Sequence, residues 1–76
     1  MRVRVDLLGE LRNRLPRDRD HLDLEVEDGL TVGGLVDRLG IRNEFYGGIV
    51  DRQMVAEAEM LRDGTTITFF TPMHGG

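Results

Sequence analysis

The sequence predicts an α+β domain: a mixed sheet covered on one face by one main helix, with a flexible tail after the last strand. Three observations carry this. Apolar and polar residues alternate at the N-terminus and again over residues 21–27, the period of a half-buried strand. The period switches to that of a helix over residues 31–39. A third alternating run, "TTITFFT", precedes a proline and two final glycines. Strands on either side of one helix leave that helix to cover one sheet face.

In "MRVRVDLLG", Val3, Val5 and Leu7 share one face and Arg2, Arg4 and Asp6 the other, until Leu8 breaks the pattern. "HLDLEVEDG" repeats it, with Leu22, Leu24 and Val26 set against Asp23, Glu25 and Glu27, and Asp28-Gly29 supplies turn chemistry. The polar loop "GELRNRLPRDRD" joins the two runs into an antiparallel hairpin. In "LTVGGLVDRLG", Val32, Leu35, Val36 and Leu39 form one helical face. Thr31 fits the N-cap, Gly40 the position past the C-terminus, and Leu30 with Leu35 a hydrophobic staple. Gly33 and Gly34 each cost a helix interior about 1 kcal/mol relative to alanine. They imply a frayed first turn near a close backbone contact, not a phosphate cradle, since no strand leads directly into them.

Ile49-Val50 and Met54-Val55 read as two short strands around Asp51-Arg52-Gln53. "AEAEMLRDG" is a polar connection anchored by Leu61 and turned by Asp63-Gly64. In the last strand Ile67 and Phe69 face one way, and Thr66, Thr68 and Phe70 the other. Pro72 lacks a backbone donor and biases Thr71 towards an extended form, so the ladder ends there. The helical connection lets strands on either side of it run parallel, which makes the first and last strands the central pair. This is the ubiquitin-like β-grasp arrangement.

Seventy-six residues make one domain, 1–76, with residues 72–76 as its tail. A chain of this size buries about 60% of its unfolded surface, which leaves no room for a deep interdomain cleft. The net charge of −4 disfavours nucleic acid, and no apolar run approaches the ~20 residues that cross a bilayer. The N-terminus is neither a signal peptide nor a targeting helix, so a cytoplasmic location is expected. All ten basic residues are arginine, and cysteine is absent, which excludes disulfides, thiolate metal sites and thiol nucleophiles. His21 and His74 are far apart, and no His/Asp/Glu spacing suggests a metal.

The ending "FFTPMHGG" has two readings: disorder at a terminus, or a thin stalk presenting the Gly76 carboxylate to a narrow channel in a partner, since glycine admits close approach of other groups. "LRDGTTITFFTPMHGG" resembles the ending L-x-D-G-D-x-V-x-F-F-P-P-V-x-G-G of the MoaD/ThiS family of ubiquitin-like sulfur carriers, above all the molybdopterin synthase small subunit. The opening strand with "LLGELRN" and the "LTVGGLVDRL" helix match more loosely. Thr71, Met73 and His74 depart from the family ending, as Asp51-Arg52-Gln53 does from its Asn-Gly hairpin and Gly33-Gly34 from its charged helix formers.

The resemblance implies a protein co-substrate and not an enzyme. A ubiquitin-activating-type adenylyltransferase uses ATP to adenylate the Gly76 carboxylate. A sulfur donor, a sulfurtransferase or desulfurase, displaces AMP to leave a thiocarboxylate. The tail then enters an acceptor synthase such as the molybdopterin synthase large subunit. A thiamine-type or other pathway-specific carrier and a ubiquitin-like modifier of lysines are the alternatives. No cofactor is expected on the chain itself. Gly75 and Gly76 are the reacting end, and Phe70, Pro72, Met73 and His74 the partner-binding residues. Phe70 is either an apolar anchor for a partner or covered by sheet curvature or a loop. His74 either acts near the carboxylate or is an ordinary tail residue. Arg12, Arg14, Arg17 and Arg19 form either a solvated loop or a contact for an acidic partner.

Overall fold

Five strands form one mixed sheet in a computed structural model that describes residues 1–15, 19–45 and 47–71. They are β1 (Arg2–Leu7), β2 (His21–Glu25), β3 (Gly47–Val50), β4 (Gln53–Val55) and β5 (Thr66–Phe70), in spatial order β2-β1-β5-β3-β4. The β1–β5 pair is parallel and central, with Val5 opposite Ile67 and Leu7 opposite Phe69; the other pairs are antiparallel. The expected β-grasp fold is what forms, with one main helix, α1 (Val32–Leu39), between the two hairpins.

The alternation in β1 does what it predicts. Val3, Val5 and Leu7 are buried, and they meet Ile67 and Phe69 of β5 and Val32, Leu35 and Val36 of α1 in one core. Leu61 is buried as the anchor of its connection. Leu11, Ile41 and Phe45 likewise belong to no periodic run. Leu11 and Ile41 are completely buried, and Phe45 packs edge-on to Phe69, centroids 6.2 Å apart at 86°. Leu11 corrects the polar-loop expectation: residues Gly9–Arg14 form a 3₁₀ helix that points this side chain inward.

The cap expectations hold. Thr31 Oγ1 accepts the Gly34 N–H at 3.1 Å, and Gly40 has φ of 71°, the left-handed form that ends a helix cheaply only with glycine. The first turn of α1 is pinned and not frayed. Val32 N–H donates to the Glu59 carbonyl and Gly33 N–H to that of Glu57, both at 2.9 Å. A Cβ on Gly33 would lie 3.1 Å from Glu57 Cβ and 3.3 Å from its carbonyl oxygen. The close backbone contact is therefore real, and these donors are engaged by protein and closed to an anion.

Asp51 and Arg52 turn β3 into β4 with φ of 51° and 68°. A tight hairpin needs positive φ at both central residues, the reason Asn-Gly is the usual choice. Left-handed backbone costs a side-chain-bearing residue about 1–2 kcal/mol, partly offset by glycine's greater freedom when unfolded. Arg52→Gly is expected to stabilise the fold by about 0.5–1 kcal/mol in urea denaturation; a loss of stability would show that the turn carries no strain.

Beyond the core, ion pairs tie α1 to its surroundings. Arg38 holds Glu27 with a hydrogen bond of 2.7 Å and a second ion-pair contact of 2.7 Å, and Arg42 joins Asp37 to Glu57. The Arg38 hydrogen bond, helped by a backbone one, holds the Glu27 carboxyl down at about 2 from its usual 4.5. A depressed carboxyl contributes stability above its unfolded pKa and loses it as pH falls through the folded one. Melting temperature should thus decline between pH 4.5 and about 2. Glu27→Gln should flatten part of that decline, modestly, because the pair is exposed. An unchanged acid profile in the variant would remove Glu27 from the account.

Candidate functional site

β5 carries adjacent aromatics to opposite sides of the sheet. Phe69 is fully buried beneath α1, while Phe70 is half-buried on the outer face, as the alternation requires. The register then decides what surrounds Phe70. Gly47 lies directly opposite it, and Ile49 lies opposite both Thr68 and Met54, which places Ile49 and Met54 on the same outer face. On the other side, Leu7 pairs with Phe69 and the Leu8 N–H donates to the Phe69 carbonyl at 3.0 Å, so Leu8 falls beside Phe70. Leu8 is 46% and Met54 62% exposed.

Gly47 sets the level of this patch. A Cβ there would sit 2.8 Å from Met54 Cε and 3.2 Å from Phe70 Cζ, so both side chains lie down over bare backbone. Leu8, Ile49, Met54 and Phe70 together make an apolar strip across the end of the sheet at which β5 finishes. Thr71 follows, its hydroxyl so close to Gly9 that a Cβ there would meet Oγ1 at 2.6 Å. The last described residue is thus seated against the sheet end, beside the strip.

The other half of the outer face is chemically different. Arg2 pairs with Glu25 at 3.2 Å and Arg4 with Asp23 at 3.1 Å, while His21 lies between Asp20 and Asp23. The His21 hydrogen bond holds the Asp20 carboxyl below its ordinary range, and the Arg4 hydrogen bond does the same for Asp23. Of the arginine loop, Arg14 is bound to Glu44, whereas Arg12 and Arg19 are exposed and Arg17 lies outside the described residues. A groove of about 560 Å³ lined by Val32, Val50, Val55, Leu61 and Arg62 opens at the opposite end of β5, next to Thr65.

Phe70 is the one sequence-predicted site residue among those described. Pro72, Met73, His74, Gly75 and Gly76 lie outside them. Leu8, Gly47, Ile49 and Met54 were not legible as a site, although Leu8, an apolar residue in a position of polar register, was the available signal. Among the described residues no cluster of three or more His, Cys, Asp or Glu could hold a metal, and no helix is long and apolar enough to cross a membrane.

Several solved structures share this architecture. SAMP1 from Haloferax volcanii superposes with a TM-score of 0.77 at 16% identity, over 100% of both chains. A putative molybdopterin converting factor subunit 1 from Pyrococcus furiosus gives 0.76 at 21% identity, covering 95% of this chain and 98% of that one. A complex of subunits 1 and 2 of the molybdopterin-converting factor from Helicobacter pylori gives 0.63 at 19%, over 100% of both chains. At these identities the likeness establishes the ubiquitin-like fold. No curated protein matches the chain in sequence. The ThiS family model matches residues 5–76, through β1, the helix, β5 and both final glycines, and the chain belongs to the ThiS family.

Proposed function

We propose that this protein is a sulfur carrier whose Gly76 carboxylate is adenylated at the expense of ATP and then converted to a thiocarboxylate. The observation that carries the reading is the family match running through Gly75 and Gly76, on a chain whose central strand ends beside an apolar strip. The fold supplies a rigid base and a fixed point of departure at Thr71. The adenylating and sulfur-donating groups belong to partners, and the carrier is a co-substrate. The "LRDGTTITFFTPMHGG" ending favours molybdopterin synthesis, with an acceptor synthase subunit receiving the tail. That the Helicobacter pylori subunit 1 occurs in complex with subunit 2 is in keeping with such a partner. Pro72, Met73 and His74 would line the path from the docked domain to the reacting end.

Intact mass of the protein from its native host tests the reading. A sulfur-for-oxygen increment at the C-terminus is expected; isopeptide conjugates with other proteins in its place would make it a modifier.

Phe70→Asp tests the docking strip. An interface aromatic is worth roughly 2 kcal/mol or more, on the order of thirtyfold in Kd. The variant should lose that much affinity for the activating enzyme, by calorimetry, while its melting temperature falls far less than that of a variant at the fully buried Phe69. A large fall in melting temperature with unchanged affinity would place Phe70 in the core and end its role in docking.

A further inference from the structure

All ten basic side chains are arginine, and lysine and cysteine are both absent. Among these 76 residues the one primary amine is the α-amine of Met1. It is engaged: it donates to the Val26 carbonyl at 2.7 Å and lies 3.6 Å from the Asp28 carboxylate, with the Met1 side chain only 6% exposed. Val26 N–H returns a hydrogen bond to the Met1 carbonyl at 2.8 Å, so the residue is fixed beside β2.

An activated carboxyl group is consumed by whatever nucleophile reaches it. An amine lone pair attacks the carbonyl carbon, a C–N bond forms, the acyl bond to AMP or to a thiol breaks, and the amine releases a proton to solvent. Guanidinium has no lone pair to offer, since it stays protonated in proteins, and a thiolate would require cysteine. Arginine nevertheless keeps the electrostatics. The side-chain ion pairs Arg2–Glu25, Arg4–Asp23, Arg14–Glu44 and Arg38–Glu27 are all made without a nucleophilic nitrogen.

We infer that this chain does not accept its own activated terminus. Activation at Gly76 ends in transfer to a partner or in hydrolysis, and never in covalent dimers or chains of this protein. The inference rests on Gly76 being the reacting group. It implies that any modification of other proteins by this chain would be a single addition at each site.

The test installs a Gly76 α-thioester chemically, by thiolysis of an intein fusion, with no activating enzyme. The concentrated protein is held at pH ~8, where primary amines are acylated by thioesters, and intact masses are followed. Expected are hydrolysed monomer without covalent dimer, and the propyl amide when propylamine is added. Two variants should restore dimer formation: Arg62→Lys, at an exposed position, and a chain extended by Gly-Ser ahead of Met1, which moves the α-amine into solvent. Covalent dimer in the parent chain overturns the inference. So does its absence from both variants while propylamine is acylated. Failure of enzymatic activation, read separately as absent pyrophosphate release, would count against the carrier reading and leave this result intact.

Discussion

Phe69→Ala is expected to remove about 3–5 kcal/mol of stability, the usual cost of deleting a buried aromatic. A 76-residue chain has roughly 4–11 kcal/mol in total, from the per-residue range, so the variant stands near the edge of folding. The ring is fully buried at the centre of the sheet, edge-on to Phe45. It lies so close to the backbone of Gly48 that a Cβ there would meet it at 3.1 Å. Little can move to fill the space: Val3, Val5 and Ile67 are held by the central ladder, and Leu35 by the pinned helix. The cavity therefore persists, and its cost adds to the lost burial. Urea denaturation reads the effect as a fall in midpoint at unchanged slope. A loss below about 1 kcal/mol would mean that the core collapses around the gap. The neighbouring Phe70→Asp, on the outer face, should give the contrast: one residue along the same strand, the damage is expected to fall mainly on the proposed partner contact.

Periodic stretches were legible from the sequence because burial repeats with the backbone. Val3, Val5 and Leu7 could be read from a period of two, and Val32, Leu35 and Val36 from a period near four. Leu11 and Ile41 could not, since a lone apolar residue has no period to betray its direction. Gly33 and Gly34 announced a close approach but not its partner, because Glu57 belongs to a connection far along the chain. The apolar strip needed the register: Leu8 follows β1, Ile49 lies in β3 and Met54 in β4, and only pairing through β5 sets them around Phe70. The ending was legible for another reason. Asp63-Gly64, Phe69-Phe70, Pro72 and the two glycines form a pattern in one dimension, and the family match runs over those residues.

The larger functional effect is expected at the last two residues. In the proposed carrier role the Gly76 carboxylate must be delivered at a fixed reach from Thr71, the last described residue. Deleting Gly76 shortens that reach by about 3.5 Å, one extended residue, and a misplacement of even ~1 Å can cost on the order of a hundredfold in rate. Gly75→Val keeps the reach but adds a branched side chain where the proposed narrow channel of a partner would admit only backbone. Melting temperatures are expected to stay at the parent value while activation or sulfur transfer is abolished. The decisive measurement incubates the parent chain, the Gly76 deletion and Gly75→Val with ATP, a sulfur donor and the activating enzyme of the same genome, and follows pyrophosphate release and intact mass. The parent should release pyrophosphate and gain the sulfur-for-oxygen increment, and the two variants should do neither or stall before sulfur enters. Thiocarboxylation of the Gly76 deletion as fast as the parent would contradict the carrier role.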